Sequence, residues 1–221
     1  QRLCDKQTKW DESGIAGLIP DTLLQGLTGH PFGSPDMIGG GEYTCFLNGN
    51  ENACTPEMFV RYAQIAALMP VMQFSASPWR VLPEADFQKV KAALALREKC
   101  LPEIFKAVEC AKVTGEPIAR SMEFVFPGQG MERVMDQFMV GDALLVAPVW
   151  KQGEVVRSVT LPEGQWRCVS LGETEGDVLN GGRNVVIFGG ISVNLSAFQS
   201  GGNLRGRKHS ELRSPLSMPF R

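Results

Sequence analysis

At Gly115 the hydrophobic pattern of this chain changes period, and no other feature constrains the fold as much. Before it, apolar residues recur at helical spacing; after it, they fall in short runs separated by turn signals. Neither a helical bundle nor a β-sandwich alone accommodates both halves. The expectation is α/β: helices and short buried strands over residues 1–115, an antiparallel β-domain over 116–198, and a tail over 199–221. The tail is rich in Gly, Ser and Arg and lacks periodicity. It is read as disordered, with its Arg205, Arg207 and Lys208 cluster solvated.

In the first half, Ile15, Leu18, Ile19, Leu23 and Leu24 predict a helix that Pro20 interrupts. Residues 31–36 are expected to be extended, because a residue before proline is pushed toward β. They lead into Gly39-Gly40-Gly41, where the backbone can take positive φ or approach a ligand closely. Thr55-Pro56-Glu57 reads as a helix start, with a cap, a proline in the first turn and an early acid. That helix is expected to reach about Leu68, with Glu57 and Arg61 paired four apart. Residues 69–75 read as a short strand and 77–80 as a loop. A long amphipathic segment follows Pro83, and Pro102 either divides it into two helices or kinks it. Gly115 ends it. The β-type runs are 117–126, 138–140, 143–149, 155–161, 166–170 and 185–188.

Composition narrows the function. A formal net charge of -2 gives no electrostatic footprint for nucleic acid. No apolar stretch is long enough for a membrane span. The six cysteines form no CxxC pair and only two histidines are present, so a zinc cluster is not expected. Cys45 and Cys54 flank a polar loop, and either a disulfide or two thiols would fit there. Asn194-Leu195-Ser196 is a formal glycosylation sequon, weak support for secretion. The glycine run lacks the Gly-Lys-Ser/Thr ending of a phosphate loop.

Asp5 and Asp36 stand near expected strand ends. In strand–helix repeats active sites lie at the C-terminal ends of strands, although Asp is also a common turn residue, and pattern alone favours the turn. Several motifs add to this: Arg2-Leu3-Cys4-Asp5-Lys6, Pro35-Asp36-Met37-Ile38-Gly39-Gly40, Met69-Pro70-Val71-Met72-Gln73-Phe74-Ser75 and Pro78-Trp79-Arg80. Further on stand Asp136-Gln137-Phe138-Met139-Val140-Gly141-Asp142 and Leu161-Pro162-Glu163-Gly164-Gln165-Trp166. In this order and spacing the chain resembles glycoside hydrolase family 31 over about 200 of its residues. The segments around Asp5 and Gln73 resemble the myogenesis-regulating glycosidase branch, which is associated with α-galactoside cleavage.

The resemblance implies the C-terminal portion of a (β/α)8 TIM barrel followed by an antiparallel β-sandwich-like domain. A complete barrel typically needs roughly 250 residues. It implies a retaining α-glycosidase acting on an α-galactoside or α-glucoside through two carboxyl groups roughly 5–5.5 Å apart. Asp5 matches the family's acid/base, and Asp36 the aspartate that accepts hydrogen bonds from sugar hydroxyls. Trp79 could stack on a sugar ring or pack on the rim; Arg80 could contact substrate or a rim carboxylate. The family's nucleophile lies upstream of the acid/base, so the missing partner is the N-terminal part of the barrel, and the isolated chain is expected to be inactive. Two departures stand out: Cys4 precedes Asp5 where many members have Gly, and Gln73-Phe74-Ser75 replaces a stretch that usually holds a sugar-binding His. No cofactor or metal is implied, and the family resemblance favours the secretory pathway. The competing expectation is a non-catalytic sugar-binding or interaction protein derived from a glycosidase.

Overall fold

The computed structural model describes residues 1–40, 46, 53–169, 178–188 and 195–200. A single 3-10 turn leads into α1 (Leu18–Leu27). Pro20 does not interrupt it, because it lies in the first turn, where no intrahelical N–H bond is lost. α2 (Pro56–Ala66) starts as expected, with the Thr55 hydroxyl accepting from the Met58 N–H at 3.2 Å. The short α3 (Pro78–Val81) replaces the expected loop. α4 (Glu84–Thr114) runs unbroken through Pro102, so the two-helix alternative is set aside. Gly115 ends it in the left-handed region at φ 76, its N–H bonded to the Ala111 carbonyl at 2.9 Å.

No continuous strand forms over residues 69–75; one parallel bridge joins Phe74 to Ile38. Another joins Arg2 to Ser34. Three extended segments, around residues 2, 34–38 and 74, are thus paired in parallel by single bridges. Arg97 on α4 fixes the approach to the last of them. Its guanidinium donates to the carbonyls of Ala67 (2.6 Å), Met69 (2.7 Å) and Pro70 (3.2 Å), beyond the C-terminus of α2, where a cation suits the helix dipole.

The second half begins with β1 (Ala119–Arg120) and one turn of helix, α5 (Met122–Val125), where a longer β run was expected. The Ser121 hydroxyl accepts from the Phe124 N–H at 3.3 Å and so starts a turn within an apolar sequence. Six strands follow: β2 (Phe138–Val140), β3 (Leu144–Pro148), β4 (Val156–Leu161), β5 (Gln165–Val169), β6 (Val178–Asn180) and β7 (Arg183–Phe188), and then a seventh, β8 (Leu195–Ser200). All pairings between these strands are antiparallel, in one sheet of order β1-β2-β3-β8-β5-β6 and a second of β4-β7. β8 inserts between β3 and β5, pairing Gln199 with Leu144 and Ser200 with Trp166, so regular pairing enters the expected tail. Residues 201–221, the sequon residue Asn194 and Cys45 lie outside the described residues.

Alternation along β2 and β3 buries both faces of the larger sheet. Phe138, Val140, Leu144 and Val146 join the core built by α1, α2 and α4. Met139, Leu145 and Ala147 point the other way, into a cluster with Val159, Leu161 and Trp166. The period of two therefore makes one sheet the wall between a helical layer and a second β layer. Among the described residues no helix is long and apolar enough to cross a membrane.

Candidate active site

Asp5 and Asp36 follow the paired residues of two neighbouring parallel segments. Main-chain bonds fix the first pair: Leu3 N–H to the Ser34 carbonyl (3.0 Å) and Ser34 N–H to the Gln1 carbonyl (2.9 Å). The third segment is tied by Ile38 N–H to the Gln73 carbonyl (2.8 Å) and Ser75 N–H to the Ile38 carbonyl (3.1 Å). Tight approach at the glycine run completes the packing. Gly39 has φ 96, and a Cβ there would lie 2.8 Å from Ser75 Oγ and 2.6 Å from the Phe46 ring. A side chain at this position would therefore be strained and crowded.

The structure brings the two acids together through one cation. Arg2 Nη1 bonds Asp36 Oδ1, and Arg2 Nη2 lies 2.7 Å from Asp5 Oδ1. The Asp5 hydrogen bond, with help from the charges of Asp36 and Asp5, holds the Arg2 guanidinium above its ordinary pKa. The two carboxylates differ in exposure. The Asp5 side chain is 55% exposed, whereas that of Asp36 is fully enclosed at 0%. Asp36 accepts two further bonds, from the N–H groups of Lys6 and Met37, each at 2.7 Å. Three donors hold its two oxygens, leaving about one lone pair for anything else. Lys6, itself buried, sends its ammonium to Asp21 in the first turn of α1, so the Asp5 loop is tied to that helix.

Behind Asp36 sits Tyr62 of α2, 2% exposed, its hydroxyl without a hydrogen-bond partner. Burial first, and then the charge of Asp36, push its pKa up. A raised folded value means stability that is complete below the ordinary tyrosine value near 10 and declines as pH rises above it. Wild type is therefore expected to lose up to about 1.4 kcal/mol per pH unit from this group in that alkaline range, and Tyr62→Phe to remove that slope. Urea titrations at several alkaline pH values would show this; an unchanged slope in the variant would contradict it.

Trp79 and Arg80 are both on α3 and exposed, Trp79 at 66%. Trp79 meets Phe87 of α4 edge to face, with ring centroids 6.3 Å apart. Neither side chain bonds Asp5 or Asp36. Sequence reasoning singled out no role for Arg2, Lys6 or Tyr62; the signal available was a cation on either side of an acid in Arg2-Leu3-Cys4-Asp5-Lys6. Two acids of the β-domain motif hold cations: Asp142, in the turn between β2 and β3, pairs with buried Arg120, and Asp136 with buried Arg157 at 3.2 Å. Glu57 approaches Arg61 at 3.8 Å and accepts from the Gly153 N–H at 2.8 Å. A separate cleft of about 190 Å³, between α4 and the β2–β3 turn, is lined by Lys106, Cys110, Arg120 and Asp142 and shares no residue with this site.

Similarity to known proteins points to one family. Residues 115–199 match the glycosyl hydrolase family 31 C-terminal domain. The chain belongs to glycoside hydrolase family 31. It is 37% identical over 170 residues to the myogenesis-regulating glycosidase of Mus musculus, covering 75% of this chain and 24% of that protein. It is 34% identical over 184 residues to the SITS-binding protein of Tetronarce californica, covering 80% and 25%. Among solved structures, the family 31 dextranase of Flavobacterium johnsoniae, complexed with isomaltotriose, superposes with a TM-score of 0.71 and 28% identity over 88% of this chain and 23% of that one. The chain thus spans about a quarter of the length of the curated relatives named here.

Proposed function

We propose that the chain carries the acid/base side of a retaining α-glycosidase site, at the C-terminal end of a (β/α)8 barrel over residues 1–115, with the β-domain over 116–198 packed against it. The observation that carries this reading is the exposed Asp5, ion-paired at 2.7 Å to an arginine that also holds the enclosed Asp36. The parallel pairing of the segments that bear them supports a barrel origin. Asp5 would protonate the departing glycosidic oxygen and then take a proton from the incoming water. Asp36 would organise the sugar-binding side, and Trp79 and Arg80 would stand on the rim. The substrate would be an α-galactoside or an α-glucoside; the absence of His from Gln73-Phe74-Ser75 favours the first. The nucleophile would come from outside the described residues. Asp36, the carboxylate that shares Arg2 with Asp5, has no exposed side-chain surface from which to attack an anomeric carbon.

A hydrolysis assay with nitrophenyl α-galactoside and α-glucoside tests this. The 221-residue chain is expected to give no turnover. Turnover that Asp5→Asn abolishes would keep the acid/base role but overturn the external nucleophile. Turnover that survives Asp5→Asn would overturn the role of Asp5.

A further inference from the structure

Asp36 is buried, held by three donors and covered by Arg2, while Asp5 faces solvent. A carboxylate placed this way acts on its surroundings through the cation that it holds. We propose that Arg2 is the positioning residue of the site: its guanidinium is a rigid bridge through which the enclosed Asp36 fixes the carboxylate of Asp5. The assignment of Asp5 to sugar chemistry rests on the glycosidase reading; the bridge itself does not.

Three features support the bridge. The guanidinium is planar with its donors in a fixed fork, so engaging Nη1 on Asp36 dictates where Nη2 points, and Nη2 meets Asp5. The anchor is tied to the main chain, because Asp36 accepts from the N–H groups of Lys6 and Met37. The anchored end is also pinned by main-chain pairing, since Arg2 is the residue bridged to Ser34. A lysine in this place would keep the charge but not the fork, and so could not fix both acids in one orientation.

Heteronuclear NMR of the nitrogen- and carbon-labelled 221-residue chain tests the bridge directly. Rotation about Cζ–Nη is slowed when both Nη groups are held, so wild type is expected to show two resolved Arg2 Nη signals. Asp36→Asn should merge them and also move the carboxyl carbon signal of Asp5, a residue it does not touch. A single averaged Nη signal in wild type, or an Asp5 signal indifferent to Asp36→Asn, would overturn the proposal. Should Asp36→Asn fail to fold, Arg2→Lys serves instead: it should shift the Asp5 carboxyl signal, and an unshifted signal would overturn the bridge equally. A titration with methyl α-galactoside and methyl α-glucoside separates this result from the glycosidase reading. With sugar bound, Arg2→Lys should weaken affinity about tenfold without rescue by the retained charge, the scale of one charge-assisted hydrogen bond; unchanged affinity would overturn the link from the bridge to sugar binding. Resolved Nη signals in a chain that ignores both sugars would sink the glycosidase reading and leave the bridge standing. An averaged signal in a chain that binds them would do the reverse.

Discussion

Asp36→Ala is expected to cost about 3 kcal/mol of stability, the scale of two enclosed main-chain donors left without an acceptor. The Asp36 carboxylate is the shared acceptor for Arg2 and for the main-chain N–H groups of Lys6 and Met37. Without it, two main-chain donors lose their acceptor in an enclosed space and carry their desolvation cost, while the Arg2 guanidinium, a third exposed, keeps Asp5 and solvent. Asn does not repair the loss, since its amide turns one accepting oxygen into a donor that faces other donors. Hydrogen exchange checks the local part of the effect: the amides of Lys6 and Met37 should lose protection first. Unchanged protection of both amides in Asp36→Ala would show that the carboxylate does not hold them.

Trp166→Ala should be of similar size, about 3–5 kcal/mol, for a different reason. Trp166 on β5 is 1% exposed and lies in the cluster between the two sheets, with Val159, Leu161, Met139 and Leu145. Its ring meets Phe126 edge to face at 5.9 Å, and its Nε1–H donates to the Pro162 carbonyl at 2.9 Å. Truncation removes the largest side chain of the cluster, opens a cavity and strands that carbonyl. Trp166→Phe keeps most of the volume and should cost about 1–2 kcal/mol. Urea unfolding monitored by circular dichroism would decide; a loss under about 1 kcal/mol for Trp166→Ala would mean that the sheets do not depend on this contact. Because the larger sheet also walls the helical layer through Phe138 and Val140, the damage should reach the candidate site.

Much of the helical half could be read from local chemistry. The Thr55 cap, Pro56 in the first turn and Gly115 at the end of α4 all act within one turn of helix, so sequence neighbours determine them. Pro102 was harder. Removing one N–H and adding one clash does not outweigh the packing of Cys100, Ile104 and Ala107 on the same face, and α4 continues. The β half was legible where alternation was strong, as in β4, and illegible where pairing alone makes the strand. β6 is only three residues long, and β8 mixes small and polar residues, yet β8 takes the central place between β3 and β5. Such long-range pairing leaves no periodic trace.

The site divides in the same way. Asp5 and Asp36 were singled out through motif resemblance, and the structure places them on adjacent segments around one cation. What the sequence did not disclose is their difference in exposure. Burial of Asp36 follows from Arg2 above it and α2 behind it, with Tyr62 pressed toward its charge. Arg2 is 34 positions from Asp36, and nothing in either motif alone joins them.

The most direct measurement of the central claim is a titration of the labelled chain with methyl α-galactoside and methyl α-glucoside, mapped by NMR. The expected result is a saturable change at Arg2 and Asp5, extending to Trp79, and reduced by Asp5→Asn. Changes confined to the cleft of Lys106, Cys110 and Arg120, or no change with either sugar, would contradict a glycosidase site built on Asp5.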